Sequence, residues 1–168
     1  VVIMFQGSVA SAALTWTASP LLPFGAYHQT RTVQHLLDGG YAVLTPETHL
    51  GGVTFWDTNN VLIPDYYASY DHALMLEMFD AIDDGRFGHL NGERLYATGI
   101  SSGGYMTSRM GVTYPERFRA LAVQSGSYAT CAGPICDVGP IPEDHPPTLF
   151  LHGALDPIVP IFTMDLYR

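Results

Sequence analysis

The sequence predicts an α/β fold, a mostly parallel sheet with helices on both faces, and three observations predict it. Short, continuously apolar runs alternate along the chain with stretches of helical periodicity; that alternation builds parallel strands joined by crossover helices. The apolar runs are only a few residues long and show no polar alternation, as strands buried on both faces do. A turn rich in glycine and serine, Gly99-Ile100-Ser101-Ser102-Gly103, stands between one such run and a helical stretch. Neither an internal repeat nor a linker interrupts the 168 residues, so one domain is expected over residues 1–168.

The elements follow in order. Residues 1–5 form a continuous apolar run that ends in Gln6-Gly7-Ser8, a buried strand running into a turn. Residues 9–24 read as loop, closed by Pro20, Pro23 and Gly25. A helix begins at Ala26, with Val33, Leu36 and Leu37 on one face, and Gly39-Gly40 ends it. Residues 41–45 are the second strand, and 46–64 a long irregular stretch of the kind that is usually functional or mobile. Residues 66–83 are helical, with Ala73, Leu76, Phe79 and Ala81 among the apolar positions and Asp84-Gly85 after them. Residues 94–98 are a strand, 103–114 a helix stopped by Pro115, 118–123 and 148–151 two further strands, and a short helix starts near Pro160. The total is five strands.

Composition narrows the function. All seven basic residues are arginine, the formal net charge is -9, and no basic stripe occurs, which excludes nucleic acid as an expected partner. No apolar run approaches the roughly 20 residues that span a bilayer, and no membrane partner is expected. A neutral substrate suits this surface. The opening residues lack the positively charged region of a signal peptide and do not start with methionine, so a preceding segment is expected. Cys131 and Cys136, five apart in CAGPIC, could form a disulfide or remain free thiols; no flanking ligands complete a metal site.

Two motifs carry chemistry. Gly99–Gly103 fits G-x-S-x-G, in which a sharp strand-to-helix turn exposes a serine hydroxyl to a base. Ser101 is the candidate nucleophile, and Ser102 the alternative with poorer spacing. The helix that follows aims its first N–H groups at the same place, making the Ser102 N–H a donor for a developing oxyanion. A second donor is expected from the turn after the first strand: Ser8 N–H, or Gly7 beside it. In His152-Gly153-Ala154-Leu155-Asp156-Pro157, Asp156 follows a buried strand and can orient a catalytic imidazole, although Asp-Pro is also an ordinary turn.

GISSGGYMTSRM, the YPERF after it and HGALDPIVP together resemble the α/β-hydrolase superfamily, in particular the secreted polyhydroxyalkanoate depolymerase-like serine esterases. The resemblance extends from Val1 to about Val159 and implies a three-layer α/β-hydrolase core, with both ends of the catalytic domain lying outside residues 1–168. It implies a Ser-His-Asp triad in the order Ser101, Asp156, then histidine, and an acyl-enzyme route. These families usually carry His-Gly at the first oxyanion turn, where this chain has Gln6-Gly7.

No histidine follows Asp156, so the base is expected beyond Arg168. Among the histidines before it, His49 in the long loop is the one placed to reach the site; His28, His35, His72, His89, His145 and His152 suit local or surface roles better. Phe55 and Trp56, with Tyr66, Tyr67 and Tyr70 behind them, either line an apolar cleft for substrate or pack the loop onto the core. Tyr105 and Met106 are expected to be buried. The expected function is hydrolysis of a neutral ester or polyester, with no metal or organic cofactor and a secreted or periplasmic location. Feruloyl or acetyl-xylan esterase and oligopeptidase share every motif, and a non-catalytic binding module on the same scaffold is the reading from another class.

Overall fold

The computed structural model describes residues 1–17, 19–21, 26–49, 54–58, 63 and 65–168. Five strands form one sheet, all neighbours parallel: β1 (Val2–Phe5), β2 (Val43–Leu44), β3 (Leu95–Ile100), β4 (Phe118–Gln124) and β5 (Thr148–Leu151) lie in the order β2-β1-β3-β4-β5. Every residue of β1 is buried, which is why it reads as an unbroken apolar run. Helices are α1 (Ala12–Thr15), α2 (Ala26–Asp38), α3 (Tyr70–Asp83), α4 (Ser102–Thr113) and α5 (Ile161–Tyr167).

Alternation along the strands assigns the two faces. Ile3 and Phe5 of β1 and Leu95 and Ala97 of β3 pack with Met75, Met78, Phe79 and Ile82 of α3 and Met106 and Met110 of α4. The other face carries Thr98, whose hydroxyl accepts from Gln124 Nε2, while Gln124 Oε1 accepts from Gln29 of α2. Helices therefore cover both faces, and α2 meets the second through this polar chain.

Several local expectations are corrected. The stretch 66–83 is not one helix: a 3₁₀ turn, Tyr66–Ala68, comes first, and α3 starts after it. The Asp65 carboxylate accepts from Tyr67 N and the Ser69 hydroxyl from His72 N, so two caps in quick succession restart the chain. Ala73 and Leu76 are exposed, and the buried stripe is Met75, Met78, Phe79, Ala81 and Ile82. Leu37 is likewise exposed on α2, where Val33 is buried. A short helix, α1, occupies part of the expected 9–24 loop. The second strand is only two residues long. Pro23, Gly25 and much of the 46–64 stretch lie outside the described residues.

Candidate active site

The C-terminal ends of parallel strands gather the candidate residues on one edge of the sheet, the usual place for a site in an open α/β fold. Ser101 sits between β3 and α4 with φ 56 and ψ -119, a left-handed conformation that costs a non-glycine residue energy. Two bonds fix it: Ser101 N–H donates to Gln124 O on β4 at 2.9 Å, and Ser101 O accepts the first helical bond from Tyr105 N at 3.1 Å. The flanking glycines are required by proximity. A Cβ on Gly103 would lie 2.2 Å from Phe5 O, and one on Gly99 would lie 2.3 Å from Gly103 O. Only hydrogen at these positions lets α4 start directly on top of β1 and β3.

The turn after β1 reaches the same point. A Cβ built on Gly7 would stand 3.5 Å from Ser101 Cβ and 3.3 Å from Ile100 O. Gly7 is buried and Ser8 is exposed beside it. The turn closes with Ala10 N–H on Gly7 O at 3.3 Å, and it holds Val9 at φ 56 with its side chain exposed. Positive φ is rare for a β-branched residue. Among the described residues, the non-glycine positive-φ positions are Val9, Ser101 and Ser125, which end β1, β3 and β4 at this one edge.

Asp156 follows β5 at the same edge. Its Oδ1 accepts from Ile158 N at 2.9 Å and Val159 N at 3.0 Å. Burial pushes its pKa up, but these two N–H donors, His152 and the Ser125 hydroxyl outweigh that and hold it below the ordinary carboxylate range. Asp156 is thus an anion at neutral pH. Ser125 is the residue the sequence reading missed: it follows Gln124, whose carbonyl anchors Ser101, and its own N–H is held by Leu151 O at 2.8 Å. A single turn therefore bridges the Ser101 and Asp156 segments. No motif marks it; only the left-handed φ of 42 does, and φ is invisible in a sequence.

The aromatic pair divides. Phe55 is 40% exposed, whereas Trp56 is 1% exposed and lines no open cleft. Its indole packs edge-to-face on Phe5 with centroids 5.1 Å apart and donates to Gln6 O at 2.9 Å, while its backbone N–H donates to Ser102 Oγ at 2.9 Å. Trp56 thus ties the loop to the strand and helix that flank Ser101. Tyr105 and Met106 are buried, as expected, and Tyr105 OH accepts from Gly133 N. Tyr66 is buried under Arg109, while Tyr67 and Tyr70 are exposed.

The histidines have other partners. The His152 side chain is buried and donates through Nε2 to Val159 O at 2.7 Å, leaving its Nε2 3.8 Å from the Asp156 carboxylate. His72 bonds Tyr114 OH, and His145 bonds Tyr167 OH. His49 lies 3.9 Å from Asp57 and stacks on Tyr70. Asp71, beside Asp57, is fully buried; burial pushes its carboxyl up to about 6 even though the Asp57 N–H donates to it. Cys131 and Cys136 are joined in a disulfide.

This edge, with a strained serine, two candidate oxyanion turns and an anchored aspartate, invites comparison with known proteins. Solved structures share the architecture. A thermostable esterase superposes with a TM-score of 0.63 at 18% identity, over 99% of this chain and 41% of that one. Esterase PE8 gives 0.58 at 16% identity, over 98% and 73%. The chain has the α/β-hydrolase fold. In sequence it is 52% identical to the poly(3-hydroxyoctanoate) depolymerase of Pseudomonas fluorescens across 99% of its own length. Feruloyl esterase B of Thermothelomyces thermophilus is 33% identical over 56% of the chain and 32% of that protein. The chain spans 60% of the length of the depolymerase. No family model matches it.

Proposed function

We propose that the protein is a serine carboxylic-ester hydrolase acting on a polyhydroxyalkanoate or its oligomers. The observation that carries this reading is Ser101, held at φ 56 on a glycine-lined strand-to-helix turn with the Gly7 turn against it. Proteins keep such strain where the exposed hydroxyl is used. The similarity to a poly(3-hydroxyoctanoate) depolymerase supports the polyester, and the exposed Phe55 offers an apolar contact for its side chains.

In this mechanism Ser101 Oγ attacks the ester carbonyl and its proton passes to an imidazole. The carbonyl oxygen, now negative, accepts from the N–H groups of Ser102 and of Ser8 or Gly7. The tetrahedral intermediate collapses, the alcohol leaves with the proton, and water repeats the sequence on the acyl-enzyme. Asp156, anionic and anchored through Oδ1, accepts from the imidazole and holds its tautomer. His49, His72, His145 and His152 are engaged with other partners, and we assign the base to a histidine outside residues 1–168, a reading supported by a chain that spans 60% of the length of the depolymerase. Without a base, one triad member is missing and the rate falls on the order of 10⁴-fold or more.

The disulfide between Cys131 and Cys136 supports a secreted or periplasmic location, where such bonds persist. Among the described residues, no helix is long and apolar enough to cross a membrane. The test is labelling of the full-length protein with a fluorophosphonate probe, alongside clearing of polyhydroxyalkanoate film and release of ferulate from arabinoxylan. Labelling that disappears in Ser101→Ala, together with clearing of the film, is the expected result. Unlabelled protein would mark a binding module, and ferulate release without clearing would move the substrate to the feruloyl esters.

A further inference from the structure

His49, Asp57 and Asp71 come from two separate parts of the chain and meet beside the N-terminus of α3. One potential ligand atom from each lies within 4.8 Å of the others. The two carboxylates are 5% and 0% exposed as residues. Taking two carboxyl groups out of water this far calls for cationic partners, because an unpaired buried anion is costly. Arginine supplies none at ion-pair distance among the described residues. Arg86, Arg117 and Arg168 pair with Glu77, Asp83 and Asp165, and Arg109 turns to Thr58 O and the Tyr66 ring. The chain contains no lysine.

Asp71 makes the stronger point. Its Oδ2 accepts from Asp57 N–H at 2.6 Å, but its Oδ1 is buried with no hydrogen-bond donor among the described residues. Buried polar atoms are satisfied in the great majority of cases, and an orphan calls for a missing partner. The third donor is an imidazole. His49 Nδ1 is 3.9 Å from Asp57 Oδ2, and stacking of the ring on Tyr70, centroids 5.1 Å apart, holds it over the start of α3. The exposed His49 ring offers a nitrogen ligand with access from solvent.

We propose that His49, Asp57 and Asp71 form a binding site for a first-row divalent cation, with Zn²⁺ the best match. One imidazole with two carboxylates suits Zn²⁺ or Mn²⁺ better than Mg²⁺ or Ca²⁺, which favour all-oxygen shells. Three protein ligands leave a position for water. The ion would satisfy Asp71 Oδ1 and clamp the 54–58 segment onto α3. That segment includes Trp56, which is bonded to Gln6 O in the turn after β1 and to Ser102 Oγ next to Ser101. The site is therefore structural, adjacent to the candidate oxyanion turns and separate from the ester chemistry.

The test uses full-length protein stripped with chelator and titrated with ZnCl₂, read by thermal unfolding and tryptophan fluorescence. At about 100 times the dissociation constant, Zn²⁺ should raise Tm by roughly 5–10 °C. The emission of buried Trp56 should change with the same midpoint. His49→Ala should weaken binding at least about 10-fold, and so should Asp71→Asn, which keeps an acceptor for Asp57 N–H; His89→Ala, at an exposed turn, should leave it unchanged. If Asp71→Asn fails to fold, the exposed His49 decides. No shift in Tm at millimolar Zn²⁺, or an equal shift in His49→Ala, overturns the proposal.

Discussion

Ser101 joins backbone strain and a candidate nucleophile in one residue. Its φ of 56 and ψ of -119 fall outside the regions open to a residue with a Cβ. Such strain costs on the order of 1–3 kcal/mol. It is held there by Gln124 O on one side and the first turn of α4 on the other. Glycine at this position removes the steric penalty but adds freedom to the unfolded chain, so part of the gain is lost. Ser101→Gly is expected to be more stable than Ser101→Ala by about 1 kcal/mol, or roughly 2–4 °C in Tm. Both variants lack the Ser101 hydroxyl, so differential scanning calorimetry isolates the backbone contribution; equal melting temperatures would mean that the turn relaxes without strain. The sequence singled out Ser101 and Asp156 as candidates because each sits in a local motif. It could not show Ser125, whose role depends on a turn conformation and a contact to Asp156 across β5. Nor could it place Trp56, since Phe55 and Trp56 look equally apolar and only the packing against Phe5 separates them.

At the scale of elements, strands were more legible than helix faces. Burial on both sides makes β1 apolar throughout, and β5 appears with the bounds its apolar run implies. Helix faces depend on which of several apolar stripes meets the sheet, and Leu76 and Leu37 belong to stripes left in solvent. Caps decided the break between the 3₁₀ turn and α3: Ser69 and Asp65 are inconspicuous in sequence yet each satisfies a backbone N–H. The loop between β4 and β5 is stabilised by different means. Cys131 is fully buried with Tyr128, Val159 and Tyr167, and its bond to Cys136 closes a short loop. Chain-entropy reasoning for a loop of this length gives about 2 kcal/mol. The double variant Cys131→Ala/Cys136→Ala is expected to lower Tm by roughly 4–8 °C. Reductant should shift the wild type by a similar amount and leave the variant unmoved. A reductant effect on the variant would sink the assignment.

For the molecule as a whole, an all-parallel sheet has two consequences. Every strand ends at the same edge, so the turns after β1, β3, β4 and β5 meet without long excursions, and four separate sequence segments become one candidate site. The outer strands, by contrast, are left with one partner each among the described residues. On β5 the residues alternate half-buried and exposed: Phe150 packs on Tyr167, while Leu149 and Leu151 are 58% and 50% exposed on the other side. Exposed apolar side chains on an edge strand template association with another strand. Residues 1–168 prepared alone should therefore self-associate in a concentration-dependent way, despite a net charge of -9 that opposes it. Leu149→Lys with Leu151→Lys places two cations on that strand and is expected to keep the chain monomeric in size-exclusion chromatography with light scattering. Surface substitutions of this kind change stability within about 0.5 kcal/mol each, so Tm should hardly move. A fall of many degrees would instead reveal that the two leucines are packed, and association unchanged by the lysines would move the sticky surface elsewhere, to Phe162 and Leu166 of α5, which are 52% and 57% exposed.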